Sequence, residues 1–87
     1  MAEHMAAFYD ESKTRGVEFT PLMYNFALFG VSHDPRVFSS FSSKILGDMA
    51  KDRIVPDIGM VKNIMRGWFV CRNVKMFILC FKYLERR

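Results

Sequence analysis

Four side chains in this sequence have the chemistry of a nucleophile or a soft metal ligand: His4, His33, Cys71 and Cys80. Their spacing serves neither purpose. Zinc sites draw cysteine and histidine pairs from steps of a few residues, whereas these cysteines stand nine positions apart and both histidines lie far upstream. No histidine sits beside either cysteine to activate it. No glycine-rich phosphate loop occurs anywhere in the chain. The expectation is therefore a protein with no catalytic residue, no metal, no cofactor and no small-molecule substrate. The thiols are expected to be free and buried, as in a reducing compartment.

The remaining candidates are binding groups. Lys62 and Arg66, four apart, share one face of a helix, and Lys75, Lys82 and Arg86 form a narrow basic strip on another. Such side chains neutralise phosphates, or simply keep a helix face solvated. Asn25 carries the donor and acceptor needed to read a base edge; its plainer role is a polar residue on a helix. Trp68, Phe69 and Tyr83 have rings on which bases stack, but at helical spacing among aliphatic neighbours they read as core or interface.

Charge is unevenly spread. Residues 1–57 hold six Lys/Arg against eight Asp/Glu, a balance of −2, while residues 58–87 hold seven Lys/Arg against Glu85 alone, a balance of +6. This asymmetry suits a polyanion or an acidic partner at the C-terminal end. Of 87 residues, 51% are hydrophobic and 15% aromatic. A chain of this length buries only a modest share of its surface, so that apolar content calls for neighbouring repeats or a partner. The longest apolar run, Met76 to Phe81, is six residues, far short of the roughly 20 that a membrane span needs. The opening residues have no basic segment before an apolar core and so carry no secretory signal pattern.

Five helices are predicted, with turns near residues 15–20, 31–34, 51–57 and 70–73. The first covers 2–14, with Met5, Phe8 and Tyr9 on one face, and Arg15-Gly16 ends it. Thr20-Pro21 and Asp34-Pro35 each pair a capping side chain with proline at the first helical position. Asp57 caps the fourth helix and Asn73 the fifth. The apolar stripes run through Leu22, Met23, Phe26 and Phe29, then Phe38, Phe41, Ile45, Leu46 and Met49. Ser39, Ser40, Ser42 and Ser43 are assigned to the opposite face of that third helix. The fourth helix buries Ile58, Val61, Ile64, Met65 and Trp68. The fifth is apolar on two sides, Val74/Phe77/Ile78/Phe81/Leu84 and Met76/Leu79/Cys80/Tyr83, and so is expected to be covered on both. Phe26, Phe41, Ile45, Ile64, Trp68, Phe77 and Phe81 are the predicted core.

Two helices per unit, with Gly30 and Gly67 at a spacing of 37 residues, form an internal repeat. The second unit carries Ile54-Val55-Pro56-Asp57-Ile58, then Lys62-Asn63-Ile64-Met65-Arg66-Gly67, then Asn73 to Leu84. The first answers with Phe19-Thr20 where Pro-Asp would stand, Tyr24-Asn25, Gly30 and Met49. The pattern resembles a pentatricopeptide repeat, with a tetratricopeptide-like repeat close by. The resemblance implies an all-α fold of antiparallel helical hairpins stacked as a short α-solenoid. The segments would be the end of a partial repeat (1–20), a complete repeat (21–57) and a truncated repeat (58–87). It also implies that Asn25 and Asp57 together read one RNA base, in a combination similar to the family's uridine-preferring pair. Lys62 takes the equivalent inner position of the next repeat, where lysine would hold a phosphate. Arg66 would join it in contacting RNA.

Two functions are expected on this reading. One is a non-catalytic helical-repeat subunit of an organellar, mitochondrial RNA–protein assembly such as a ribosome, binding single-stranded or ribosomal RNA and neighbouring protein subunits. The other is a structural protein-interaction subunit of a large mitochondrial complex with no RNA contact. In either case Met76, Leu79, Cys80 and Tyr83 are expected to contact another chain. The Val74/Phe77/Phe81 side would pack on Ile64 and Trp68 within its own hairpin.

Overall fold

The computed structural model describes residues 2–86; Met1 and Arg87, which bound the first and last sequence segments above, lie outside them. Five helices account for nearly all of these residues: α1 (Ala2–Thr14), α2 (Pro21–Val31), α3 (Pro35–Lys51), α4 (Ile58–Val70) and α5 (Val74–Glu85). No strand occurs among the described residues.

Local chemistry sets these boundaries. Thr20 Oγ1 accepts from the Met23 amide, Asp34 Oδ1 from Arg36, Asp57 Oδ1 from Met60 and Asn73 Oδ1 from Met76. Each satisfies a backbone donor that a helix start leaves free. Three helices end in the same way. The amides of Gly16 and Val17 bond back to Lys13 and Ser12, those of Arg53 and Ile54 to Ala50 and Met49, and those of Arg72 and Asn73 to Phe69 and Trp68. This paired bonding needs a left-handed residue. Gly16 supplies it at φ 78° at little cost, whereas Arg53 and Arg72 adopt φ 58° and 60° despite carrying a Cβ.

Each helix packs on the next, α2 also packs on α4, and α1 on α3. The thinnest Cα extent is 16 Å, the thickness of two helix layers set about 8–10 Å apart. The core lies within the first four helices: Tyr9, Phe19, Tyr24, Leu28, Val31, Phe38, Ile45, Met49, Met60 and Ile64 are buried. Of the seven predicted core residues only Ile45 and Ile64 belong to it; Phe41 and Trp68 pack against it, and Phe26, Phe77 and Phe81 lie outside it. Phe26 is 57% exposed and Phe81 is 52% exposed. Phe41, Trp68 and Phe77 are half-buried, and Ile45 and Ile64 are buried as expected.

The reason is legible in α2. Its eleven residues are apolar almost all the way round, so periodicity does not select a face. Contact with α1, α3 and α4 selects Tyr24, Ala27, Leu28 and Val31, and leaves Leu22, Phe26 and Phe29 outward. Phe8 on α1 and Ile58 on α4 are likewise exposed. Ser42 departs in the other direction: it is buried in α3, and its Oγ has no hydrogen-bond partner among the described residues. Gly30 and Gly67, the markers of the repeat, are buried within α2 and α4, where a neighbour approaches closely. A Cβ on Gly67 would stand 2.3 Å from the Phe38 ring, and one on Gly30 would stand 2.6 Å from Met5 Cγ.

Polar bonds brace the α1–α2–α3 corner. Tyr9 donates to Asp48 Oδ2 at 2.5 Å and Tyr24 donates to Asp52 Oδ2 at 2.5 Å. Lys13 donates to the Tyr24 hydroxyl and pairs with Asp52 at 3.7 Å. Its ammonium lies 4.7 Å from the centroids of both the Phe19 and Tyr24 rings, an attractive arrangement for a cation. Burial first, then the carboxylate acceptor, raises the pKa of both tyrosines.

Candidate functional site

The connection 52–57 and the packing of α2 on α4 bring together Asn25 and Asp57, the two residues that the repeat resemblance pairs. Asp57 ends the connection as the α4 cap, and Asn25 sits midway along α2. A Cβ on Gly59 would be 3.4 Å from Asp57 Oδ1 and 4.0 Å from Asn25 Nδ2. Both side chains therefore border one small notch, which stays open because residue 59 has no side chain.

A third polar residue stands beside it. Asn63 Nδ2 donates to Asn25 Oδ1 at 2.7 Å. This bond occupies one acceptor of Asn25 and leaves its amide donors toward the notch. Sequence reasoning missed Asn63. Aligning the units on Gly30 and Gly67 put Lys62 opposite Asn25, and the contact is one residue further along α4. The doubled Asn at comparable places in the two units was the available signal.

Lys62 and Arg66 lie on the exposed side of α4. Arg66 sets its guanidinium 5.6 Å from the centroid of Phe29 on α2. Phe29, expected in the core stripe but exposed, is thus part of this face, together with Asn25 and Arg66. The His33 ring stands edge-on to Phe29 at 4.7 Å, and its Nδ1 is 2.8 Å from the Phe29 carbonyl oxygen. The face therefore offers amide groups, two cations and aromatic surface within the span of two helices.

The other candidate surface is α5, which among the described residues packs against α4 alone and has none of its own buried. Both of its apolar sides stay partly open and both border Trp68: Val74 and Phe77 line one groove with it, and Met76, Leu79, Cys80 and Tyr83 line another. Met76, Leu79, Cys80 and Tyr83 border a groove shared with Leu46, Pro56, Val61, Ile64 and Trp68. Val74, Ile78 and Phe81 point outward, at 66%, 45% and 52% exposure. Leu79 and Tyr83 stay partly open at the edge of the groove, and Cys80 packs toward the core. Phe77 turns to Phe69, ring centroids 6.1 Å apart.

The chemistry of the cysteines is quiet. Both are free and half-buried. Cys71 Sγ donates to the Pro35 carbonyl at 3.3 Å, and burial raises the pKa of the Cys80 thiol, which lowers its reactivity. Among the described residues no group of three or more His, Cys, Asp or Glu side chains gathers to hold a metal ion. No helix of the described residues is long and apolar enough to cross a membrane.

Compared with protein-family models, curated proteins and solved structures, the chain matches none.

Proposed function

We propose that this chain is a non-catalytic helical-repeat module that holds single-stranded RNA on its α2/α4 face, as a subunit of an organellar RNA–protein assembly. The reading rests on one observation: Asn25 and Asp57, distant in sequence, border a common notch at Gly59. An amide and a carboxylate there supply donors and acceptors for a base edge that is free of pairing. Lys62 and Arg66 supply charge for the phosphates beside it, and Phe29 supplies an aromatic surface. The mitochondrial assignment follows from the resemblance to pentatricopeptide repeats alone.

The second reading is a protein-interaction subunit with no RNA contact. It is favoured by the exposed apolar residues at both ends of the helix series, Phe8 and Phe26 at one and Val74, Ile78 and Phe81 at the other. Exposed apolar surface of this kind marks association sites.

Titration of a fluorescent oligouridine at several salt concentrations separates the two. RNA binding on the α2/α4 face should weaken steeply as salt rises. Lys62→Ala and Arg66→Ala should each reduce the salt slope by about one. Asn25→Ala should lower affinity for oligouridine more than for oligoadenosine. An absence of binding even at low salt would refute the RNA reading and leave the protein reading standing.

A further inference from the structure

Both ends of the helix series expose apolar surface. At one end α1 and α2 leave an apolar groove lined by Met5, Phe8, Met23, Phe26 and Ala27. Phe8 and Phe26 stand at its margins, 61% and 57% exposed. Among the described residues none of α3, α4 or α5 lines it, and α5 meets neither α1 nor α2. At the other end α5 presents Val74, Ile78 and Phe81 in one outward strip. Their steps of four and three residues make a continuous ridge on a helix, the spacing by which helices anchor in apolar grooves. One end thus carries a groove between two helices and the other an outward helix ridge.

Charge favours the same match. Residues 2–20, which carry α1 and its connection, hold Glu3, Asp10, Glu11 and Glu18 against Lys13 and Arg15. Residues 72–86, which carry α5, hold Arg72, Lys75, Lys82 and Arg86 against Glu85. The net charge of one end is thus −2 and that of the other +3. Two like ends repel each other, whereas unlike ends attract.

We infer that the α1/α2 groove receives α5 of a second copy of this chain, so that copies join head to tail. Val74, Ile78 and Phe81 of one copy seat between Phe8 and Phe26 of the next. The contact is heterologous: each copy keeps one free groove and one free ridge, and assembly continues until rotation closes a ring or the chain of copies stays open. This inference is independent of the RNA reading, since the groove and the ridge share no residue with the notch at Gly59.

The test uses sedimentation velocity on the full chain and two surface variants. The wild type should show a weight-average mass that rises with concentration and falls with added salt. Ile78→Asp removes the ridge and leaves the groove; Phe8→Asp removes the groove and leaves the ridge. Both positions are exposed, so helicity and melting temperature should stay at wild-type values. Each variant alone should weaken association by at least about tenfold, as loss of a central apolar anchor does. Mixed in equal amounts, the two should form a dimer and stop there, because only one intact groove and one intact ridge remain. A wild type that is monomeric at all concentrations overturns the inference and assigns both surfaces to a different protein. Association unaffected by either substitution overturns it, and so does a mixture that stays monomeric while the wild type assembles.

Discussion

Asn63 Nδ2 donates a 2.7 Å hydrogen bond to Asn25 Oδ1, tying α4 to α2 across 38 positions of sequence. The pair orients the Asn25 amide beside Asp57, and so decides which of its atoms a ligand meets. Replacing either asparagine with alanine should cost about 1 kcal/mol in urea denaturation. The double replacement should cost less than the two singles combined, because they remove one shared bond. Strict additivity would show that the bond is absent in solution.

Two glycines should respond to alanine with opposite signs. Gly67 faces the buried Phe38 ring at a distance no Cβ tolerates, so Gly67→Ala should destabilise the protein by about 1–3 kcal/mol through overpacking. Gly47 lies within α3, is exposed, and has nothing within 4 Å of where an added methyl group would stand. Gly47→Ala should stabilise by about 0.5–1 kcal/mol through helix propensity alone. Thermal melts of both variants decide the matter, and a stable Gly67→Ala protein would contradict the close α3–α4 approach.

Phe38 and Phe81 are both phenylalanines in apolar stripes, yet only Phe38 is buried. Phe38→Ala should cost about 3–5 kcal/mol. Phe81→Ala should change stability by no more than about 0.5 kcal/mol in the monomer. Equal losses in denaturant titrations would place α5 against the core.

Tyr9 and Tyr24 give the fold an alkaline limit. Both folded pKa values are raised, by burial first and then by the Asp48 and Asp52 acceptors. Each tyrosine must therefore stay protonated in the folded state, and each contributes stability in full below the unfolded value of about 10. Above that pH the unfolded chain releases protons that the folded chain keeps. Stability should then fall by up to about 1.4 kcal/mol per pH unit for each tyrosine. Urea midpoints between pH 8 and 11 should be flat and then decline, and Tyr9→Phe should flatten the decline. A midpoint independent of pH across this range would mean that neither hydroxyl is held by its carboxylate.

The helices and the turns between them were legible from local chemistry. Thr20, Asp34, Asp57 and Asn73 cap helices through side chains that reach two or three residues ahead, and Pro21 and Pro35 act on their own backbone; such chemistry needs no knowledge of distant neighbours. The α3 stripe was legible for a related reason. Serines interrupt its apolar residues, so Phe38, Ile45 and Met49 mark a single inward face, although Ser42 shares it. On α2 and α5, where apolar residues run nearly all round, the pattern left the buried face undetermined. Packing between helices turned Tyr24 and Leu28 inward, sent Phe26 and Phe29 outward, and set Met76 and Cys80 rather than Phe81 toward α4. It alone brought Asn63 to Asn25 and both within reach of Asp57. The cause is physical: which side of a uniformly apolar helix is buried depends on the neighbours that close over it, and a hydrogen bond between helices depends on their axial offset. A shift of one residue along α4 exchanges Lys62 for Asn63, and only packing fixes that shift.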